Sequence, residues 1–237
     1  MALQRAISAI EDDHTSYIMQ LPDEDIKQLI SKTDEDGRSL LHAAVSSGKE
    51  DIVRHLLSKG ASPNTSDDEG WTPLMSAVSA SREALIQLLL EHGADVHATN
   101  SSGQTSLHYA ASKARTDKIC RLLLAKGASA TAKDSTGSAP LHRACSAGRI
   151  AAVKALVGIG RTPVEIRDGQ GATPLYVAAS TDQQQICLYL MSKGANVEAE
   201  DKQGETPLSV AATKGLRQLL VDVATGKRSA DELMEDA

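Results

Sequence analysis

The sequence predicts an all-α-rich repeat: a solenoid of helix pairs joined by β-hairpin or turn fingers, in about seven units including degenerate caps. Three observations predict it. A glycine that opens a small-polar-then-Leu motif recurs at Gly37, Gly70, Gly103, Gly137, Gly171 and Gly204, spaced 33, 33, 34, 34 and 33 residues apart. A second series with the same period follows an apolar stretch at Gly60, Gly93, Gly127, Gly160 and Gly194. The chain of 237 residues is also only 2% aromatic and holds no Phe, so Ala and Leu must carry the burial that aromatics usually supply. That composition suits many thin layers better than one thick core.

Each period reads as turn, helix, helix. In WTPLMSAV, Thr72 offers a capping hydroxyl and Pro73 takes the first helical position, where its missing N–H costs nothing. Thr173-Pro174 and Thr206-Pro207 repeat the device, Ala139-Pro140 keeps only the proline, and Thr105-Ser106 keeps only the cap. The second helix carries a stripe at i, i+1, i+4 and i+5, as in Ile52, Val53, Leu56 and Leu57 or Leu85, Ile86, Leu89 and Leu90. It stops at a glycine suited to a left-handed cap. The glycine gaps place one extra residue near Arg115–Asp117 and a second within RTPVEIRDGQG. The resulting frame is a single domain over 1–225. It has an N-terminal capping unit at 1–33, full repeats at 34–66, 67–99, 100–133, 134–167 and 168–200, and a C-terminal capping unit at 201–225. Residues 226–237 read as a flexible charged tail.

These motifs resemble the ankyrin repeat. Its G-x-T-P-L-H-x-A signature appears as GWTPLMSA, GQTSLHYA, GSAPLHRA, GATPLYVA and GETPLSVA, with GRSLLHAA opening the series. The resemblance covers about residues 34–212. It implies stacked units of finger and helix pair, none stable alone.

Composition excludes several functions. No apolar run approaches a membrane span, and MALQRAISAI, followed at once by Glu11, Asp12 and Asp13, does not read as a signal peptide. Cys120, Cys145 and Cys187 are odd in number and lack CxxC spacing, which fits a reducing compartment and no disulfide framework. His42, His108 and His142 share one repeat slot that Met75, Tyr176 and Ser209 fill elsewhere. They therefore read as structural imidazoles bonded to neighbouring backbone or to the capping Thr. His92 and His97 lack the spacing of a helical metal pair. No catalytic, cofactor-binding or metal-binding residues are expected, and the chain is not read as an enzyme. A net charge of −6 without interleaved aromatics also argues against nucleic acid.

What remains is a protein-binding surface. Residues 1–99 hold 17 acidic and 8 basic side chains, residues 100–197 hold 5 and 12, and residues 198–237 hold 9 and 5. Trp71, the only Trp, follows a turn glycine, where a ring is better placed for contact than for core packing. Arg38 and Gln104 take the same position in neighbouring repeats. The stretches DDEGWTPL, TNSSGQTSLHYAASK and KDSTGSAPLHRA resemble the gankyrin family, ankyrin-repeat chaperones of the 26S proteasome regulatory particle. That resemblance implies a monomeric, cytoplasmic and nuclear chaperone of base assembly. Its concave face would bind the C-terminal domain of a proteasomal ATPase subunit through complementary charges. Carried over by residue, it implies contacts at Asp68, Glu69, Trp71, Tyr109, Lys113 and Arg143, beside Arg38 and Gln104 of the finger row. Two departures stand out. Some animal members carry L-x-C-x-E where this chain reads VAAST from Val177, and the N-terminal cap here is longer and more acidic. An adaptor or inhibitor of another intracellular protein, such as a kinase inhibitor or a substrate receptor, is the alternative.

Overall fold

An Asp or Asn stands three residues before each finger glycine, and its side chain closes the turn. Asp34, Asp67, Asn100, Asp134, Asp168 and Asp201 each accept, through Oδ1, the backbone N–H groups two and four residues ahead. In the computed structural model, which describes residues 2–235, the first five of these turns precede helix pairs, and the chain forms two compact units, Met1–Ser106 and Leu107–Ala237.

The first unit contains α1 (Ala2–Glu11), α2 (Thr15–Met19), α3 (Asp23–Ile30), α4 (Leu40–Ser46), α5 (Glu50–Ser58), α6 (Pro73–Ser79) and α7 (Glu83–Glu91). The capping unit therefore has three helices. Ile7, Ile10, Ile18 and Ile26 bury its apolar face, with α1 on α4 and α2 on α5. Lys49–Asp13 at 2.6 Å and Lys59–Asp23 at 2.5 Å tie the cap to the first full repeat. The second unit follows with α8 (Ser106–Ser112), α9 (Asp117–Ala125), α10 (Pro140–Ser146), α11 (Ile150–Gly158), α12 (Pro174–Ser180), α13 (Gln184–Ser192), α14 (Lys214–Ala224) and α15 (Ala230–Glu235).

The helix starts follow the sequence rules. Thr72 caps α6 and Thr173 caps α12 by accepting the N–H three residues on, with Pro at the first position. Ala139 has no oxygen to offer, and His142 Nδ1 instead accepts the Ala139 N–H at 3.1 Å. Most of the expected stripe is core: Ile52, Val53, Leu56, Leu85, Ile86 and Leu89 are at most 2% exposed and Leu57 is buried, but on α7 the buried place expected of Leu90 is taken by Leu88, and Leu90 is half-buried.

Of the two finger forms the sequence allowed, the structure has the turn: among the described residues the only β-type pairing is the isolated bridge between Thr33 and Ser39. Three expectations change. The sixth signature forms no first helix: Pro207–Val210 are turns, although Thr206 and Ser209 still exchange hydrogen bonds. The tail is not wholly loose, because α15 packs on α13; residues 236–237 of that segment lie outside the described residues. The second insertion also moves. In four repeats the cap glycine has φ between 83° and 92°, but Gly160 does not adopt that conformation, and Arg161 does with φ 48°. The Thr162 N–H then bonds Leu156 O, as the Ala61 N–H bonds Leu56 O, so the extra residue lies at the end of α11. Gly160 is glycine for lack of room: a Cβ there would stand 2.6 Å from Leu156 O and 2.7 Å from Ala130 Cβ. The first insertion falls where expected, in the turn after α8. There the buried Thr116 hydroxyl donates to Ala110 O and Lys113 O at 2.5 and 2.8 Å.

Candidate partner-binding faces

In the first unit the fingertips are stitched in sequence. Asp68 N–H donates to Asp36 O at 3.0 Å, and Ser101 N–H donates to Glu69 O at 2.7 Å. The Ser101 hydroxyl also donates to the Glu69 carboxylate at 2.7 Å. Successive tips are thereby held side by side. Glu35, Asp36, Asp68 and Glu69 are exposed along this row, while Arg38, Trp71 and Gln104 are half-buried just behind their turns. The Trp71 indole N–H donates to Ser76 Oγ on α6 at 2.8 Å, and its backbone N–H donates to Asp67 Oδ1 at 2.7 Å. The ring is thus neither loose nor inside the stack. It is a pre-positioned aromatic with polar neighbours, the arrangement that makes a good anchor because little side-chain freedom remains to be lost on binding.

The histidine slot explains how fingers are registered. Ser39 N–H donates to His42 Nδ1 at 3.1 Å, which leaves Nε2 as the protonated nitrogen, and Nε2 donates to Trp71 O of the next finger at 2.9 Å. His142 repeats this with Ala139 N–H and Ala172 O, both at 3.1 Å, and His108 Nε2 reaches Ser138 O at 3.1 Å. Met75 and Tyr176 cannot make the link. Burial pushes the three imidazoles below their ordinary range, against the opposing pull of their carbonyl partners. A depressed imidazole pKa means that the unfolded chain takes up these protons first. Stability should therefore be full above about pH 6.5 and fall as pH drops below it. Chemical-denaturant midpoints between pH 7.5 and 5 should show that fall, and a His142→Gln variant should show less of it; an equal fall in both would remove the explanation.

The expected contacts of the second unit are less uniform. Tyr109 is half-buried on α8, but Lys113 stands beyond the far end of that helix, in the turn before α9, with Arg115 and Arg149 nearby. A seven-residue helix separates it from the finger by about 10 Å. Arg143 reaches back to its own finger and donates to Asp134 Oδ2 at 2.6 Å. Burial alone would raise the Asp134 carboxyl, but Thr136, Arg143 and the Ser138 and Thr136 N–H groups bring it down to about 2. Most other cations of the basic middle also avoid the fingers. Lys118, Arg121, Lys126, Lys154 and Lys193 are exposed on or just past the second helices. This block therefore lies mostly off the finger row: side chains at those helix positions face outward because the opposite stripe is the core.

Sequence reading missed the residues that build the site from behind: the turn-closing Asp67 and Asp134, Ser76 under the indole, and Ser101 against Glu69. The Asp/Asn spacing was a readable signal, but the serine partners are not marked by any pattern.

Little here suits catalysis. The thiols are buried, and burial raises Cys120 and Cys187 to about 12 and Cys145 well above the ordinary value, which suppresses thiolate. Among the described residues no group of three metal-binding side chains occurs, and no helix is long and apolar enough to cross a membrane.

Comparison with known proteins gives two findings. The family model described as "Ankyrin repeats (3 copies)" matches residues 17–100, 96–163 and 141–224. The crystal structure of the ankyrin repeat domain of Bcl-3, described as a unique member of the IkappaB protein family, is similar with a TM-score of 0.78 and 24% identity. The match covers 91% of this chain and 97% of that one. No curated protein matches the chain. Neither finding indicates an enzymatic family.

Proposed function

Because the chain belongs to the ankyrin repeat family, we propose that it is a non-catalytic scaffold that binds another protein, with the first unit's finger row as a principal contact face. Arg38, Asp68, Glu69, Trp71 and Gln104 form that face, and Tyr109, Lys113 and Arg143 are the contacts assigned to the second unit. The observation that carries the reading is Trp71, fixed at a fingertip by Ser76 and Asp67 and adjoining an acidic row. The partner named by the motif resemblance is the C-terminal domain of a proteasomal ATPase subunit, which makes the chain a chaperone for assembly of the regulatory particle base. An adaptor or inhibitor of a different protein is the second reading. It is favoured by the basic middle lying mostly on second helices and inter-helix turns, which leaves the acidic row to supply charge complementarity.

Affinity purification from cell extract at low and raised salt, read by quantitative mass spectrometry, separates the two readings. Recovery of proteasomal ATPases that weakens with salt supports the first, and a different protein with the same salt response supports the second. Trp71→Ala should weaken the recovered complex by at least about tenfold, on the scale of about 1.4 kcal/mol per decade, while moving the thermal midpoint little. Unchanged affinity would take Trp71 out of the interface.

A further inference from the structure

The fifth position of each second helix points outward. It is Arg54 on α5, Gln87 on α7, Arg121 on α9 and Lys154 on α11, all exposed. On α13 it is Leu188, and Leu188 is 1% exposed. The next helix in the stack does not account for this. Arg54 stays exposed although α7 packs on α5, and Arg121 stays exposed although α11 packs on α9. What α13 has in addition is α15. That short helix places Ala230, Leu233 and Met234, an i, i+3, i+4 set, in half-buried positions and leaves Asp231 and Glu232 exposed. Around Leu188 the outer face is cationic. Lys154 Nζ and Lys193 Nζ stand 5.8 and 5.5 Å from the Tyr189 ring. Neither α11 nor α13 contains a carboxylate, and α9 contains only Asp117.

We infer that the outer face of α9, α11 and α13 is a second docking surface, made for a short acidic amphipathic helix, and that α15 is its resident, displaceable occupant. Leu188 takes the apolar side of the guest helix, Lys154 and Lys193, the cations beside Tyr189, face its carboxylates, and Arg121 extends the cationic strip onto α9. The site shares no residue with the finger row proposed as the first contact face. Cations spaced along helices with one intervening aromatic suit carboxylates on a helix better than a stacked nucleic acid, which needs several ring platforms.

The test uses the full chain and a synthetic peptide of residues 229–237 added in trans. A Leu233→Asp/Met234→Asp chain, with its own α15 released, should bind the peptide at least about tenfold tighter than the unaltered chain. Adding Arg121→Glu and Lys154→Glu should remove that gain, and raised salt should weaken the binding. Equal binding by the released and unaltered chains, or none by either, overturns the proposal. Hydrogen exchange on the unaltered chain is an independent check. α15 amides should exchange more slowly than in the free peptide, and Leu188→Glu should abolish the difference without speeding exchange in α10. Exchange of α15 as fast as the free peptide overturns the proposal, as does capture of homopolymeric RNA by the strip where the peptide fails to bind.

Discussion

Asp134→Ala should lower the unfolding free energy by about 3 kcal/mol at pH 7, more than any other single polar substitution in the second unit. The carboxylate is 1% exposed and serves four donors: the Thr136 and Ser138 N–H groups at 2.9 and 3.0 Å, the Thr136 hydroxyl at 2.6 Å and Arg143 at 2.6 Å. Truncation leaves the finger turn without its acceptor and Arg143 without its counter-charge. The Arg143 Nε is already buried without a partner among the described residues, so that side chain cannot simply re-pair in place. Breaking a fully buried pair costs about 3–5 kcal/mol, and the 39% exposure of Arg143 places this one at the lower end. Asp134→Asn should cost only about 1 kcal/mol, because Asn100 closes the equivalent turn with the same oxygen. The pH dependence has a definite sign. The folded-state carboxyl is held at about 2, below its ordinary 3.8, so its contribution is complete above about pH 4 and disappears as pH falls toward 2. Urea unfolding of the three chains at pH 7 and pH 2.5 should show a wide gap at the first pH and a narrow one at the second. A gap that persists unchanged at pH 2.5 would mean that the charge is not what holds the finger.

The case of Asp134 shows what a sequence displays and what it hides. The period, the helix starts at Thr72 and Thr173, and the apolar stripes were all legible because each depends on residues within one repeat. The insertion after α8 was legible for the same reason. What was hidden depends on partners a full repeat apart, on elements outside the period, or on how a side chain turns within its own repeat. The crowding that keeps position 160 a glycine comes in part from Ala130, about thirty residues earlier, while the left-handed position falls to Arg161. Arg143 has the residue type of an interface anchor, but its orientation toward Asp134 is a tertiary fact. The basic block was legible as a count and misleading as a location, since charge totals do not say which helix face they occupy. Leu188 carried a signal: it breaks a polar slot kept at Arg54, Gln87, Arg121 and Lys154. Only the placement of α15 gives that break a meaning.

Gly137→Ala should cost about 3 kcal/mol, whereas Gly204→Ala, at the same kind of turn, should cost about 1. Both glycines have φ 77°, and an alanine there pays a left-handed penalty of about 1 kcal/mol. They differ in what lies beside them. At Gly204 a Cβ would enter open space. At Gly137 it would stand in hard overlap with the backbone of Gly169, with Gly169 Cα at 2.8 Å, and no flexible side chain is available to move aside. Relief requires the two fingers to part, which breaks the bond from Gly169 N–H to Thr136 O at 3.0 Å and loosens the link between adjacent repeats. In a stack where each unit is stabilised by its neighbours, that interface is where stability resides. For a chain of this length the cost corresponds to a thermal midpoint roughly 6–12 °C lower for Gly137→Ala, against roughly 2–4 °C for Gly204→Ala. Calorimetry on the two variants decides the matter. Equal shifts would mean that finger contact contributes nothing beyond the turn itself, and that the row carrying Trp71 in the first unit has no corresponding rigidity in the second.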